Sequence, residues 1–437
     1  MQEEIIVIGA GMAGLAAATT LQEAGKPVRI LEGRNRIGGR TYTDDSLGAT
    51  VDLGAAWIHG PIGNPLTPLA HRFQVQMGET YFDDESGTSV QVFDAEGQRL
   101  DAKAYVQGML AYAAAMEHIA ASVLYKPPPD AHSLADLYAG GLPGENELTP
   151  TQRAGFDYSA QIRAQFVDAA DVTENDWRLT REYLHLPGGD LYLYGGGYKR
   201  IVDGLAADLP IELETTVTQI EYDAGGARVT TNRGTILCDK VIVTVPLGVL
   251  KANKIQFAPA LPAPKQQAIA RLGMGNYDKI ALKFPYRFWP QEPQRFQYVN
   301  ESGICSAWLN VAHYKDAPVL INYHAGSRAQ FVNRLRDEEY LDRALEVLRL
   351  MFKCDVPAPV AMVRTNWEND PFALGSYSFQ KVGCEVEDRQ RLAAPIDNRL
   401  FFAGEATHPH YFATVHGAYE TGVRAAREVM GICEAKG

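Results

Sequence analysis

Residues 5–15 of the chain read IIVIGAGMAGL, and this stretch decides how the fold begins. The four apolar residues predict a short buried strand, after which Gly9, Gly11 and Gly14 form a GxGxxG turn into a helix. The first glycine permits the tight turn, the second lets the backbone approach a pyrophosphate, and the third allows the helix to pack closely on the strand. A second strand ends at Glu32, whose carboxylate can accept hydrogen bonds from ribose hydroxyls and disfavours a 2′-phosphate. We therefore predict a bound dinucleotide, either NAD or FAD, with its pyrophosphate at the N-terminus of the helix.

The composition is that of an ordinary globular protein with room for two or three domains. The chain has 437 residues, of which 46% are hydrophobic and 22% are charged. Its net charge is −12 and no long acidic or basic run occurs. This charge pattern argues against nucleic acid as a partner and is compatible with a cationic substrate.

The five cysteines indicate neither a disulfide framework nor a metal site, because they are widely spaced and include no CxxC pair. They are Cys238, Cys305, Cys354, Cys384 and Cys433. Because the first strand is predicted to start at residue 5 and the apolar segments are short or interrupted, we expect neither a signal peptide nor a membrane span. We expect a cytoplasmic protein, monomer or homodimer, with no metal and with neither nucleic acid nor membrane as a partner.

Strand–helix–strand patterning recurs in three separate parts of the chain. Residues 1–80, 201–270 and 391–437 carry it, whereas 81–200 and 271–390 differ. We expect an α/β and α+β protein in which the first three segments form a discontinuous Rossmann-like dinucleotide-binding domain. The other two segments would insert a substrate-binding domain of mixed sheet flanked by helices, with the ligand where the domains meet. Periodicity predicts helices at 103–124, 151–168, 338–352 and 417–433, and strands at 211–220, 228–231, 241–245 and 276–284.

The run from Arg34 to Arg40, RNRIGGR, resembles the RxGGR sequence that the flavin amine oxidase family carries directly after its first strand–helix–strand unit. Gly38 and Gly39 let the backbone pass close to a ligand, and Arg40 offers a planar fork of donors to a phosphate. The alternative is a surface turn with a solvated arginine. The resemblance implies that the dinucleotide is FAD and that Arg34, Gly39 and Arg40 bind it.

Four further segments follow in the same order as in that family. They are GAAWIHG at 54–60, VPLGVLK at 245–251, GEAT at 404–407 and ATVHGA at 413–418. The resemblance also places the following residues on FAD: Ala56, Trp57, Val217, Trp367, Glu405, Thr414 and Val415. It implies that Glu405 contacts the ribityl–pyrophosphate region. It further implies that a helix starting near Thr414 points its N-terminus at the flavin pyrimidine, where reduced flavin carries negative charge.

Lys279 is the predicted catalytic residue. It interrupts an apolar strand, and a buried lysine needs a compensating partner, although a strand-edge lysine could also face solvent. In the family the corresponding lysine holds a water against flavin N5. Tyr377 matches one wall of an aromatic cage, and Thr414 stands where monoamine oxidases have the opposite aromatic residue. The resemblance therefore favours polyamine-like substrates over aryl monoamines.

Two more residues complete the predicted site. His59 resembles the histidine that lines the substrate tunnel of animal-type polyamine oxidases, with a satisfied core histidine as the alternative. Ser376 stands where some members of the family have the cysteine that links to the flavin, so the resemblance implies non-covalent FAD. The acidic residues considered for distal ammonium groups are Glu79, Asp83, Asp84, Glu174, Glu182 and Asp190.

The resemblance implies an FAD-dependent amine oxidase, most similar to polyamine oxidases acting on spermine, spermidine or acetylated forms. Such an enzyme transfers a hydride from the amine α-carbon to flavin N5, the imine hydrolyses, and O₂ reoxidises the flavin with release of H₂O₂. The alternatives are an oxidase of other amines or of L-amino acids, an NAD-dependent dehydrogenase, and a redox-sensing or interaction protein that holds FAD without turnover. We expect no histone-demethylase role, because the chain starts at the dinucleotide motif and leaves no room for a chromatin-targeting domain.

Overall fold

The structure is a computed structural model that describes residues 4–81, 86, 88–123 and 132–432. Asp83 and Asp84, which were considered as ammonium ligands, and the last cysteine, Cys433, lie outside the described residues. Within the described ranges, no helix is both long enough and apolar enough to cross a membrane.

A five-stranded sheet, here called the parallel sheet, gathers strands from both ends and the middle of the chain. Its strands in spatial order are Leu400–Phe402, Lys240–Val243, Ile5–Ile8, Val28–Leu31 and Ile211–Glu212. Every neighbouring pair is parallel. Strand Ile5–Ile8 is buried along its whole length because successive side chains point to opposite faces and both faces are covered. Ile5 and Val7 enter one core, and Ile6 and Ile8 enter another.

The second large sheet, here called the six-stranded sheet, is antiparallel except for its last pair. In spatial order its strands are Ala361–Arg364, Tyr277–Lys283, Val319–Ala325, Ala307–Asn310, Arg295–Tyr298 and Val90–Phe93. A four-stranded sheet contains, in spatial order, Gly234–Cys238, Gly226–Thr231, Val217–Asp223 and Gln256–Ala258. A three-stranded sheet contains Trp57–His59, Asp190–Gly195 and Gln76–Thr80. Gly273–Met274 pairs with Ser378–Phe379, and Thr43–Asp44 pairs with Val51–Asp52.

Helices cover the sheets and connect their strands. The longer ones are Met12–Glu23, Ala102–Val123, Gly197–Ala206, Ala263–Arg271, Gly326–Arg334, Asp337–Phe352 and Val415–Val429. The shorter ones are Leu66–Arg72, Leu134–Tyr138, Leu247–Lys251, Val311–Tyr314 and Asp388–Ala393, with 3₁₀ turns at Glu145–Glu147, Trp177–Glu182 and Glu405–Thr407. One continuous helical stretch, here called the 150–168 helix, joins Pro150–Asp157, a π-helical segment Tyr158–Arg163 and Ala164–Asp168.

Two predicted elements differ from the structure. The strand predicted at 211–220 is wrong as a single element, because Ile211–Glu212 joins the parallel sheet whereas Val217–Asp223 joins another sheet. Between them Glu214 has a positive φ of 53°, and the Thr215 N–H donates to the Glu32 carbonyl, so the chain turns from one sheet to the next. The helix predicted at 417–433 begins earlier and is Val415–Val429.

Candidate active site

One large cavity of about 1080 Å³ lies at the carboxyl ends of the parallel strands. This volume is at the top of the range for small-molecule sites. Gly9 follows the first strand, Glu32 the second, Thr244 the fourth in chain order and Gly404 the last, and all four line the cavity. Since the chain leaves strand Ile5–Ile8 in one direction and returns on its other side, this edge is the topological switch point at which open α/β sheets bind ligands.

Nearly all residues predicted for the site line this single cavity. Those that line it are Gly9, Gly11, Glu32, Arg34, Gly39, Arg40, Ala56, Trp57, His59, Val217, Lys279, Trp367, Tyr377, Glu405, Thr414 and Val415. Gly14 does not line it. A Cβ atom on Gly14 would come within 1.9 Å of the Gly9 carbonyl oxygen, so this glycine permits the helix to pack on the strand, as its position in the motif predicts.

The N-terminus of helix Met12–Glu23 forms a cradle that fits a pyrophosphate. Gly11 is its N-cap, and a Cβ atom there would meet no protein atom within 4 Å. The space beside Gly11 is therefore open cavity, next to helix N–H groups that favour an anion. Glu32 is held at the neighbouring edge, where its carboxylate accepts the Ala10 N–H at 2.7 Å and the Arg34 N–H at 2.8 Å.

The two predicted phosphate-region arginines make different contacts. Arg34 forms a bidentate ion pair with Asp370, at 2.6 and 2.7 Å. Arg40 donates to the Glu405 carboxylate at 3.0 Å and to the Ser376 carbonyl at 2.8 Å. Both line the cavity, but the guanidinium of Arg34 already has a full partner. Its predicted contact with FAD stays a prediction.

Glu405 is a buried carboxylate with several protein partners. It accepts hydrogen bonds from the Ser378 hydroxyl at 2.6 Å and from the Ala413 N–H at 2.9 Å. Burial acts to raise the pKa of Glu405, but Arg40 and these hydrogen bonds outweigh it, so that the pKa is lowered overall. The side chain is therefore charged and fixed beside the cavity.

Helix Val415–Val429 presents its N-terminus to the same cavity. Thr414 is its N-cap, and the Thr414 hydroxyl accepts the Gly417 N–H at 3.0 Å while donating to the Tyr411 carbonyl at 2.6 Å. The helix packs closely against Met12–Glu23, because a Cβ atom on Gly422 would come within 2.2 Å of the Ala13 carbonyl oxygen. Two helix N-termini thus favour negative charge in one cavity.

Lys279 lies inside the cavity rather than at a solvent-facing strand edge. It is 3% exposed, and its Nζ donates to the backbone carbonyls of Asp52 at 2.9 Å and Gly54 at 2.5 Å. The Nζ also lies 5.2 Å from the ring centroid of Trp57 and 5.7 Å from that of Tyr323. Burial lowers the pKa of the Lys279 ammonium, and the buried Asp52 acts in the opposite direction.

Aromatic side chains form the walls around Lys279. Tyr377 donates its hydroxyl to the Phe166 carbonyl at 2.6 Å, and its ring centroid lies 6.0 Å from that of Tyr277. The ring centroid of Tyr277 in turn lies 5.6 Å from that of Phe166 and 5.9 Å from that of Tyr323. The wall continues to Trp57, whose ring lies 5.9 Å from Tyr323. The result is an aromatic chamber at the end of a polar dinucleotide cleft.

Buried hydrogen bonds hold Trp367 against the strand that carries Lys279. The carboxylate of Asp278 accepts the Trp367 N–H at 3.0 Å and the Thr365 hydroxyl at 2.7 Å. The Thr365 hydroxyl also accepts the Lys279 N–H at 2.9 Å. The predicted flavin-contact residue and the predicted catalytic residue are therefore positioned by one network.

His59 is half-exposed and is not a core histidine. Its Nδ1 lies 2.7 Å from the carboxylate of Asp190, and both residues line the cavity. Asp190 is the one described candidate for ammonium binding that lines the cavity, since Glu79, Glu174 and Glu182 lie elsewhere.

Sequence reasoning missed several residues of the chamber: Phe166, Asp168, Tyr183, Tyr277, Tyr323 and Phe412, all of which line the cavity. Tyr277 could have been found, because it lies two residues before Lys279 in one strand and so shares its face. Tyr323 comes from the neighbouring strand, where it is the register partner of Lys279. That pairing has no local sequence signal.

The sequence matches the family described as flavin containing amine oxidoreductase over residues 12–430. The chain belongs to this family. It is 35% identical to Polyamine oxidase 4 of Oryza sativa subsp. japonica, over 97% of this chain and 88% of that protein. It is also 35% identical to Lysine-specific histone demethylase 1 homolog 2 of Arabidopsis thaliana, over 98% of this chain and 58% of that protein. A solved structure of a redesigned putrescine oxidase has a similar fold, with a TM-score of 0.76 at 19% identity over 98% of this chain and 99% of that one.

Membership of the flavin containing amine oxidoreductases confirms the predicted FAD cofactor and the predicted enzyme class, amine oxidase. The structural similarity confirms the predicted fold class. An NAD-dependent dehydrogenase is thereby excluded. The residues present fit FAD, because an open glycine cradle, a fixed ribose-side carboxylate and two helix N-termini all face one cavity.

Proposed function

We propose that this flavoenzyme is a polyamine oxidase. The observation that carries the proposal is the buried ammonium of Lys279, held by two backbone carbonyls inside an aromatic chamber that opens from the dinucleotide cleft. The similarity to Polyamine oxidase 4 over nearly the whole of this chain supports it. When bound, FAD accepts a hydride from the amine α-carbon and passes the electrons to O₂, which gives H₂O₂.

We propose that different segments of the chain bind the cofactor and the amine. All strands of the parallel sheet fall within 1–80, 201–270 and 391–437, which we propose bind FAD. All strands of the six-stranded sheet fall within 81–200 and 271–390, which we propose bind the amine. The cavity between the sheets would then hold both ligands side by side.

Residues of the cleft would hold FAD in the following way. Gly11 and the helix that starts beside it would take the pyrophosphate, and Glu32 the ribose hydroxyls. Arg40, Glu405 and the N-terminus of helix Val415–Val429 would lie along the rest of the cofactor. We propose that the attachment is non-covalent, since none of the described cysteines lines the cavity.

Lys279 would position a water and exchange a proton with it. An ammonium has three donors, of which two are used by backbone carbonyls, so one remains for a water in the chamber. Because burial lowers the pKa of Lys279, the group can lose a proton more readily than a lysine in solvent. These properties suit a residue that accepts or delivers a proton near the reacting amine.

The aromatic walls would select the neutral form of the reacting amine. An alkylamine has a pKa of about 10.4, so that at pH 7 only about one molecule in a thousand carries the lone pair that the reaction needs. The rings of Tyr277, Tyr323 and Tyr377 would shield the chamber from bulk solvent, and desolvation lowers the pKa of an amine bound there.

We also propose that the protein acts in the cytoplasm as a monomer or homodimer. The described cysteines Cys238, Cys305, Cys354 and Cys384 are all unpaired, which suits a reducing compartment. Gel filtration with light scattering would measure the oligomeric state.

Flavin bleaching under anaerobic conditions tests the proposed function. The purified holoenzyme would be mixed with spermine, N-acetylspermine, spermidine, putrescine, benzylamine and an L-amino acid, and the flavin absorption followed by stopped flow. We expect fast bleaching by a polyamine and slow or no bleaching by benzylamine. A flavin that dithionite reduces but no amine bleaches would contradict the proposal and favour a protein that holds FAD without turnover.

Oxidation of an L-amino acid is the second candidate function. An enzyme with this activity needs a cation in its site to bind the substrate carboxylate. Besides Arg34 and Arg40, two further arginines, Arg163 and Arg295, line the cavity. Fast bleaching by the L-amino acid in the same panel would favour this candidate.

A further inference from the structure

Asp168 is an acidic residue that lines the cavity and that has no role in the cofactor binding or proton transfer proposed above. It lines the cavity together with Phe166, Tyr183 and Tyr377. Its charge is near enough to Tyr183 and Tyr377 to act on the pKa of each phenol. Asp168 therefore lies beside the aromatic chamber rather than at the distant cofactor end.

The carboxylate of Asp168 has no protein partner among the residues that the structure describes. None of them donates a hydrogen bond to it or forms an ion pair with it. The charge of Arg389 acts on the pKa of Asp168, but Arg389 forms no hydrogen bond or ion pair with Asp168, and its Nη1 donates to the Ser378 hydroxyl and the Ala406 carbonyl. Other acidic side chains of the site, among them Asp52, Asp278 and Glu405, accept hydrogen bonds from the protein.

Asp168 lies at the C-terminal end of its helix, where a negative charge is unfavourable unless a cation is nearby. Asp168 is the last residue of the 150–168 helix, and the next residue, Ala169, leaves the helix with a φ of +54°. The last turn carries no basic residue. A carboxylate at a helix C-terminus adds negative charge to the negative end of the helix dipole, an arrangement that favours a bound cation.

The helix carries a local irregularity in the part of its length that lines the cavity. Its middle is the π-helical segment Tyr158–Arg163, and both ends of that segment line the cavity, as do Phe166 and Asp168 beyond it. Short π segments within α-helices shift the register of the residues that follow and occur frequently at functional sites.

We infer that Asp168 and the C-terminal turn of the 150–168 helix bind a second ammonium group of the substrate, and that they select polyamines over monoamines. The inference rests on the proposed polyamine oxidase function and names the specificity residue of that site. An organic ammonium fits better than a metal ion, because no group of three metal-ligating side chains occurs in the described part of the chain.

Binding to the reduced holoenzyme tests this inference separately from turnover. The flavin would be reduced with dithionite beforehand, so that spermidine binds without reacting, and the affinity measured by anaerobic calorimetry. We expect Asp168→Asn to weaken spermidine binding by about tenfold or more, because a charge-assisted hydrogen bond is lost. Asp168→Glu should recover most of the affinity.

A matched control and a matched pair of ligands make the test specific. Asp157→Asn makes the same chemical change in the same helix, but Asp157 pairs with Arg153 and does not line the cavity, so binding should be unchanged. N-butyl-1,3-diaminopropane and N-propyl-1,4-diaminobutane are spermidine lacking one terminal amino group. The wild-type protein should bind at least one of them more weakly than spermidine, and Asp168→Asn should remove that difference.

The outcomes separate the inference from the function on which it rests. Equal spermidine affinity in the wild type and in Asp168→Asn would overturn the role of Asp168, even if spermidine bleaches the oxidised flavin. Failure of every amine to bleach the wild-type flavin would overturn the proposed function, whereas the calorimetric comparison would still decide whether Asp168 binds the cation.

Discussion

The two ends of the cavity differ in how fully the protein satisfies its own polar groups. At the cofactor end, Glu32, Arg40 and Glu405 all have protein partners at normal hydrogen-bond distances. At the amine end, Asp168 has none, and the buried amides of Asn175 and Gln297 line the cavity with no partner among the described residues. The cofactor end is therefore preorganised by the chain, whereas the amine end has polar groups that, under the proposal, the bound amine would satisfy.

Glycine substitutions test the cofactor end and should have the largest effects. Gly14→Ala places a Cβ atom 1.9 Å from the Gly9 carbonyl, so it should destabilise the protein by about 3 kcal/mol or more and abolish FAD binding. Gly11→Ala has open space around the new methyl group, so the FAD-free protein should keep its Tm while losing FAD affinity. Thermal unfolding and flavin fluorescence would measure both quantities. If Gly11→Ala bound FAD with unchanged affinity, the cofactor would not lie against Gly11.

Replacement of Lys279 tests the boundary between the two ends. Lys279→Met should keep FAD bound but slow flavin reduction or its reoxidation by more than about tenfold, because the donor that holds the water is lost. Lys283→Met is a matched control in the same strand, since Lys283 does not line the cavity. Stopped-flow absorption measures both half-reactions, and wild-type rates in Lys279→Met would exclude its assigned role.

The smallest expected effect concerns the stability of the amine end without its ligand. Burial raises the pKa of Asp168 to about 7, against the opposing charge of Arg389, with the phenols of Tyr183 and Tyr377 nearby. A carboxyl group whose pKa is raised in the folded state costs stability as the pH rises from its unfolded pKa, about 3.9, to its folded pKa, because over this range only the folded state holds the proton. Asp168→Asn stays neutral, so it should match the wild-type Tm near pH 4 and exceed it by about 2 °C near pH 8.

Thermal unfolding of the amine-free holoenzyme at both pH values would check this prediction. A variant that is less stable than the wild type at pH 8 would indicate that Asp168 supports the fold rather than a ligand. The unpartnered carboxylate of Asp168 would then no longer distinguish the amine end of the cavity from the cofactor end.

The sequence was most informative where the site is built from contiguous motifs. Gly9, Gly11 and Glu32 lie within one strand–helix–strand unit, so their spacing alone predicts the dinucleotide cleft that the structure contains. Lys279 was predicted because a charged residue in an apolar strand needs an explanation, and the resemblance supplied one. The structure places it in the cavity with two carbonyl partners.

The sequence was least informative where contacts cross between elements. Tyr323 reaches the chamber only through its register with Lys279, and Asp168 through a helix whose π-helical segment no periodicity predicts. The predicted strand at 211–220 was wrong for a similar reason. The break at Glu214 depends on the hydrogen bond between Thr215 and Glu32, which are distant in sequence.

The order of strands in the parallel sheet has a consequence for synthesis of the protein on the ribosome. Strand Ile5–Ile8 pairs with Lys240–Val243, which pairs with Leu400–Phe402. Helix Val415–Val429 then packs on helix Met12–Glu23. Strand Ile5–Ile8 must therefore wait for strands synthesised several hundred residues later before its sheet is complete, and such long-range pairing folds slowly. A nascent chain stalled before Leu400 would contain the whole GxGxxG motif but would lack strand Leu400–Phe402 and helix Val415–Val429, so its flavin cleft would be incomplete.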